Sequence, residues 1–227
     1  MAMFTNKDEY KKWIESDDWY QTIELKNGLV TPGKVPTQLR EPIFDAIDFN
    51  GKSFLDVGCN SGQYCFTAKK KGAREVVGFD TDGKRINQAR ILAENEGYDI
   101  TFHEEDIFDT DTTKKYDIVI CLAVLTEIQN TISAIEQLKK MIGSYALIEI
   151  SLARPIIYAS YSKRWLRGYP SIPRRTAVAE LRNIRGDKWI MDPSFDVLKA
   201  IFGSEFKLTR KEGGVRYDLI EVVRIAS

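Results

Sequence analysis

FLDVGCNSG at residues 54–62, followed by VVGFD at 76–80, decides the fold of this chain. An apolar strand runs into a glycine turn, a helical stretch follows, and a second apolar strand ends on the carboxylate of Asp80. Glycine lets backbone approach a ligand closely. A carboxylate ending the second strand can accept hydrogen bonds from both hydroxyls of a ribose. Asp80 stands 18 residues after Gly62, close to the roughly 20 that such a strand–turn–helix–strand unit uses. The unit predicts a site for an adenosine-type ligand.

The alternation continues toward the carboxyl terminus. Residues 63–71 read as the first helix, with Gly72 to close it. Residues 84–96 carry Ile86, Ala89 and Ala93 at helical spacing. Residues 100–103 read as a third strand leading to Asp106. Residues 116–122 form a fourth, whose unbroken apolar character marks a central parallel strand covered on both faces. A helix at 131–141, a fifth strand at 145–150 and a helix at 193–202 follow. Strands at 206–211 and 218–225 then pair as an antiparallel hairpin through Gly213-Gly214. The predicted class is α/β: a doubly wound, Rossmann-like seven-stranded sheet with an antiparallel last strand, in three α/β/α layers. Ligands bind such sheets beyond the carboxyl ends of the strands. That rule selects the turns at 58–63, 80–81, 106–107 and 121–127.

Upstream, 5–16 reads as a helix with Thr5 and Asp8 at capping-box spacing. Asn27-Gly28 is a hairpin signal, and Pro42 suits the first turn of a helix at 41–47. Residues 1–48 form an amino-terminal cover in which Trp19, Tyr20 and Arg40 either lie over the ligand or pack. The main domain is 49–227, with a cap inserted at about 151–190 where the strand–helix pattern breaks.

With 227 residues, 43% hydrophobic and 29% charged, a folded globular protein is expected. Formal net charge is zero, so no global field draws the chain to nucleic acid or membrane. The longest apolar run, 118–125, is far short of the roughly 20 residues that span a bilayer. The first residues lack a signal-peptide apolar block. Cys59, Cys65 and Cys121 form no Cys-x-x-Cys pair and suit reduced core thiols in a cytoplasmic protein. With His103 as the only histidine, no metal site is expected.

These turns resemble those of class I S-adenosylmethionine-dependent methyltransferases. Asp56, Gly58 and Gly62 match that family's acid-x-Gly-x-Gly-x-Gly loop, with Asn60 in place of the middle glycine. Asp80, flanked by Thr81, matches the ribose acid. Asp106, followed by Ile107, matches the acid that contacts the adenine amine. YDIVICLAVL at 116–125, with Cys121 and Leu122, matches the fourth strand, bordering the methionine part. The resemblance implies S-adenosyl-L-methionine as cofactor. A narrower resemblance, through Leu25-Lys26-Asn27-Gly28, Val124-Leu125 and LRNIRG at 181–186, is to the branch containing the tRNA wobble-uridine carboxymethyltransferase. That enzyme uses carboxy-S-adenosylmethionine. Its Lys-Gly-Pro-Phe motif falls near Asp18-Trp19-Tyr20-Gln21, where no lysine stands, and its Val-Leu-Tyr-His becomes Val124-Leu125-Thr126-Glu127. Plain S-adenosylmethionine is therefore expected.

Each candidate has a plainer alternative. A nicotinamide enzyme would use the same ribose acid, although Asn60 and Asp106 fit it poorly. Asp80 could cap the next helix, and Asp106 could be an ordinary turn acid. Methyl transfer chiefly needs a nucleophile aligned with an already activated sulfonium. A base helps only where the acceptor starts protonated. Glu127 is the candidate base, or else a helix cap. Tyr64 either borders the substrate and cofactor or belongs to the core. Glu149 is a lesser acceptor contact.

Residues 151–190 hold nine basic and two acidic residues among aromatics. Arg174, Arg175 and Arg182 are thus candidates to bind an anionic acceptor, unless the stretch is a solvated lid. The expected activity is methyl transfer to an O or N nucleophile of a small polar or anionic molecule. RNA is the alternative partner, and a non-catalytic binding protein the alternative class.

Overall fold

A computed structural model describes residues 4, 6–26, 28–34, 41–152, 179–185, 188–211 and 218–225. The strands are β1 (Ser53–Val57), β2 (Glu75–Asp80), β3 (Thr101–Glu104), β4 (Tyr116–Cys121), β5 (Ile142–Ile150), β6 (Ala179–Arg185), β7 (Lys188–Pro193), β8 (Phe206–Lys211) and β9 (Asp218–Arg224). Seven of them form one sheet in the order β3-β2-β1-β4-β5-β9-β8. The first five are parallel, and β9 runs antiparallel to both neighbours. This is the doubly wound seven-stranded architecture expected.

The antiparallel last strand does not lie at the sheet edge. β9 sits between β5 and β8. Composition explains the placement: Leu219, Ile220 and Val222 of β9 are buried. β8 carries Lys207, Arg210 and Lys211, and charged residues are what an exposed edge tolerates.

Side-chain alternation along β1 splits the core. Phe54 packs on the face covered by α3 (Gln63–Lys70) and α4 (Gly83–Glu96). Leu55 and Val57 pack on the face covered by α5 (Thr131–Met141) and α6 (Phe195–Phe202). Asp56 shares its face with Phe54, on the α3 side.

Several boundaries differ from expectation. Helix α1 (Lys7–Ser16) is capped by Asn6, whose Oδ1 accepts from the Asp8 amide at 2.8 Å. The expected Thr5–Asp8 box rests on Thr5, which lies outside the described residues. α2 is Glu41–Asp45, with Pro42 in its first turn. Lys71 caps α3, and Gly72 follows at φ +91°. β5 begins at Ile142 because the α5 cap residue itself enters the strand. The predicted turn at 27–28 has Gly28 at φ +79° and a single bridge, Glu24 to Val30; Asn27, like Gly213-Gly214, lies outside the described residues. The stretch at about 151–190, where the strand–helix pattern breaks, contains β6 and most of its antiparallel partner β7; Pro193, expected to open a helix, ends β7, and Ser194 caps α6.

Candidate functional site

Two adjoining lobes open beyond the carboxyl ends of the parallel strands. The smaller, about 270 Å³, lies among Tyr20, Asp56, Asn60, Tyr64 and Leu122. The larger, about 510 Å³, lies among Thr81, Asp106, Ile107, Phe108 and Glu127. Gly58, Asp80 and Val124 border both.

The turn after β1 is a backbone cradle. The amides of Gly58 and Cys59 both donate to the Phe79 carbonyl, at 2.9 and 3.0 Å, tying the turn to the end of β2. Gly58 has φ +74°, and a β-carbon there would come within 2.1 Å of Val124 Cγ2. Gly62, at φ +87°, has Phe102 Cζ within 2.7 Å of the same ideal position. Asn60 keeps the left-handed conformation at φ +52°, which asparagine tolerates better than most residues. Its Oδ1 accepts from the Ser61 amide at 2.8 Å. Asparagine thus holds the left-handed conformation at the position of the family glycine.

Asp80 joins the two turns. Its Oδ2 accepts from the Asn60 amide at 2.8 Å and its Oδ1 from the Asp82 amide at 2.9 Å. It does not cap α4; Asp82 does, accepting from the Lys84 and Arg85 amides. A carboxylate has about four acceptor positions, so Asp80 retains capacity toward the cleft. Thr81 is exposed.

Asp56, at 2% exposure, forms part of the small lobe, and the Cys65 thiol lies 3.7 Å from its Oδ2. Burial, and then the neighbouring Asp80, push its carboxyl up to about 8. Among the described residues lining the two lobes there is no lysine, arginine or histidine. Cys121 is fully buried at the end of β4, and burial raises its thiol.

Asp106 organises its own turn: Oδ1 accepts from the Phe108 amide at 2.9 Å, and its carbonyl from the amides of Asp109 and Thr110. Buried Ile107 anchors that turn in the core. Glu127 is exposed and belongs to the larger lobe with Asp106. The structure does not bring it beside Tyr64, which lines the smaller lobe and packs its ring 4.7 Å from Phe44. Trp19 is a core residue at 1% exposure, whereas Tyr20 is 48% exposed at the cleft. Arg182 lies on β6. Arg40, Arg174 and Arg175 lie outside the described residues.

Three cleft residues were not foreseen. Gln21 accepts from the Gln63 amide at 3.1 Å, a pairing no local motif signals. Ala123 adopts φ +60°, a conformation its residue type does not announce. Phe108, 42% exposed, follows closely on Asp106; an apolar residue in a polar turn was its only signal.

Residues 48–165 match a family described as a methyltransferase domain. The chain belongs to that family: its class is the class I S-adenosylmethionine-dependent methyltransferase, and its cofactor is S-adenosylmethionine. It is similar to the tRNA U34 carboxymethyltransferase of Campylobacter hominis, 29% identical over 99 residues, which are 43% of this chain and 35% of that protein. It is also similar to the ubiquinone biosynthesis O-methyltransferase of Rhodopseudomonas palustris, 26% identical over 174 residues, 65% of this chain and 68% of the relative. The fold is shared with the N-terminal domain of EvdMO1, crystallised in the presence of SAH and D-fucose, with TM-score 0.67, 12% identity and 99% of each chain covered. No helix among the described residues is long and apolar enough to cross a membrane.

Proposed function

We propose that this protein transfers a methyl group from S-adenosylmethionine to an oxygen or nitrogen nucleophile on a small polar or anionic molecule. The observation that carries the reading is the two-lobed cleft with the Asp80 carboxylate at its junction. Asp80 accepts hydrogen bonds from the ribose hydroxyls. The turn of Asp56, Gly58, Asn60 and Gly62, with Cys121 and Leu122 opposite, surrounds the amino-acid part. Asp106, Ile107 and Thr81 form the adenine side. A cleft lined by carboxylates suits a ligand that carries a sulfonium and an ammonium. The same lining disfavours a cofactor with an added carboxylate.

When bound, S-adenosylmethionine would supply an activated methyl group on its sulfonium, the acceptor's lone pair taking the methyl carbon as the carbon–sulfur electrons return to sulfur. The protein's contribution is alignment and desolvation. Glu127 borders the adenine side, so the proposal routes no proton through it. The acceptor approaches from the Tyr20 and Tyr64 side, and Arg174, Arg175 and Arg182 are the candidates to bind an anionic group on it.

A second reading, RNA modification, is favoured by the relative named for tRNA U34. It requires a gel shift that weakens steeply with salt and is lost in Arg174→Ala/Arg175→Ala. The buried free thiols support a cytoplasmic setting.

The test is calorimetry with S-adenosylhomocysteine. Losing two hydrogen bonds to a charged group, each worth about 1.5–3 kcal/mol, should weaken binding at least ~100-fold in Asp80→Ala. Equal affinity in wild type and variant would remove the ribose assignment. Formation of S-adenosylhomocysteine from a panel of small acceptors identifies the substrate.

A further inference from the structure

Gln88 is the one uncharged polar side chain of α4 that is buried, at 1% exposure, among Ile86, Ala89, Leu92 and Ala93 of the same helix. A buried amide is costly unless its hydrogen bonds are made. Here all four are made, and they go in two directions. Nε2 donates to Asp17 Oδ2 at 2.8 Å and to the Asp18 carbonyl at 3.0 Å, both in the amino-terminal segment. Oε1 accepts from Ser61 Oγ at 2.9 Å, in the glycine turn, and from Arg85 Nη1 at 3.2 Å. Ser61 is itself fully buried. Its amide holds the Asn60 side chain, and the Asn60 amide donates to Asp80.

A continuous hydrogen-bonded path therefore runs from the Asp17–Asp18 turn through Gln88, Ser61 and Asn60 to the Asp80 carboxylate. Arg85 strengthens the first link by pairing with Asp18, at 3.0 Å to Oδ2 and also through the Asp18 carbonyl. Lys84 pairs with Asp17 at 3.0 Å. A second link returns from the same segment. The α3 N-cap is Gly62, which has no side chain to offer, and Gln21 supplies the missing acceptor to the Gln63 amide at 3.1 Å. Between these two anchors Tyr20 is held at the smaller lobe.

We infer that Gln88 is a positioning residue that couples docking of the 17–21 segment to the shape of the cofactor-binding turn. Docking of the segment and binding of the cofactor are then one linked equilibrium, and whatever factor docking adds to cofactor affinity, the cofactor adds to docking. The inference rests on the cofactor reading of the cleft given above.

The test uses the full chain, with S-adenosylhomocysteine as probe. In wild type, the ligand slows amide hydrogen exchange at residues 17–23. Gln88→Glu keeps the acceptor for Ser61 but loses the donors and sets a carboxylate against Asp17. It should weaken binding about tenfold and remove the ligand-dependent slowing, an effect on the order of one interaction between coupled sites. Adding Asp17→Asn exchanges donor and acceptor across the pair, and the double variant should recover much of the affinity. Asp17→Asn alone, at a partly exposed site, provides a folded variant and should lose affinity by a smaller factor.

The inference is overturned if Gln88→Glu binds as tightly as wild type, or if affinity and melting temperature fall together with no recovery on adding Asp17→Asn. Failure of wild type to bind the probe at all would instead overturn the cofactor reading.

Discussion

The two lobes of the cleft are built in opposite ways. The smaller is lined by groups already committed to the core or to long-range hydrogen bonds: Asp56 at 2% exposure, Tyr64 at 8%, and Gln21 reaching a residue 42 positions away. The larger is lined by a local turn whose key carboxylate, Asp106, bonds an amide two residues on, with Phe108 exposed beside it. The first lobe is thus preorganised by the whole fold and the second by its own loop. Substitutions in the first should disturb both binding and stability. Those in the second should change binding alone.

After the loss expected in Asp80→Ala, the next largest effect is at the same shared border. Gly58→Ala adds a β-carbon at a positive φ and against Val124. The backbone term alone, about 1–2 kcal/mol, should lower the melting temperature, and the displaced turn should weaken cofactor binding roughly tenfold. Adding Val124→Ala should recover part of that loss by calorimetry; no recovery would mean that the contact with Val124 does not shape the cradle. Next, Asp106→Ala should weaken S-adenosylhomocysteine binding by about threefold to tenfold and leave the melting temperature in place. A loss as large as that in Asp80→Ala, or a fall in stability, would erase the contrast between the lobes.

Asp56 sharpens the contrast through pH. Its carboxyl titrates near 4 in an unfolded chain and is pushed up to about 8 in the fold by burial and then by Asp80. Between those values the folded protein holds a proton that the unfolded chain has released. The group's stabilising contribution is complete below about pH 4 and is lost as pH rises through about 8. Asp56→Asn should therefore raise the stability of the ligand-free protein at pH 8 by about 1 kcal/mol or more, some 2–4 °C in Tm, with little gain at pH 4. Thermal melts at the two pH values decide it, and an equal change at both would refute the assignment. The smallest effect is expected from Phe108→Ala. An exposed side chain of this kind contributes within about 0.5 kcal/mol to stability, so melting should be unchanged and any effect confined to cofactor affinity.

What could be read in advance follows the same division. The β1 turn, Asp80 and the Asp106 turn are contiguous in sequence, and each declares itself through residue types that suit a local backbone shape. That the first five strands run parallel follows from their alternation with helices. Other features rest on contacts between distant residues. The insertion of β9 beside β5 reflects which of two strands buries more apolar surface. The β6–β7 pair arises within a stretch whose prolines and arginines mask its short strands. Gln88 gave the pattern of one more polar residue on a helix, and its partners stand 27 and about 70 positions away.

Local chemistry in the chain was enough to specify a doubly wound sheet, a glycine cradle and a carboxylate at the end of the second strand, because turn geometry and hydrophobic periodicity act over a few residues. Tertiary structure alone decided that Asp56 is buried with no lysine, arginine or histidine among the described residues lining its lobe, that Glu127 stands with Asp106 apart from Tyr64, and that residues 17–21 are fastened to the cradle through Gln88. Each of these depends on which distant surfaces meet and exclude water, and no window of sequence contains both sides of such a contact.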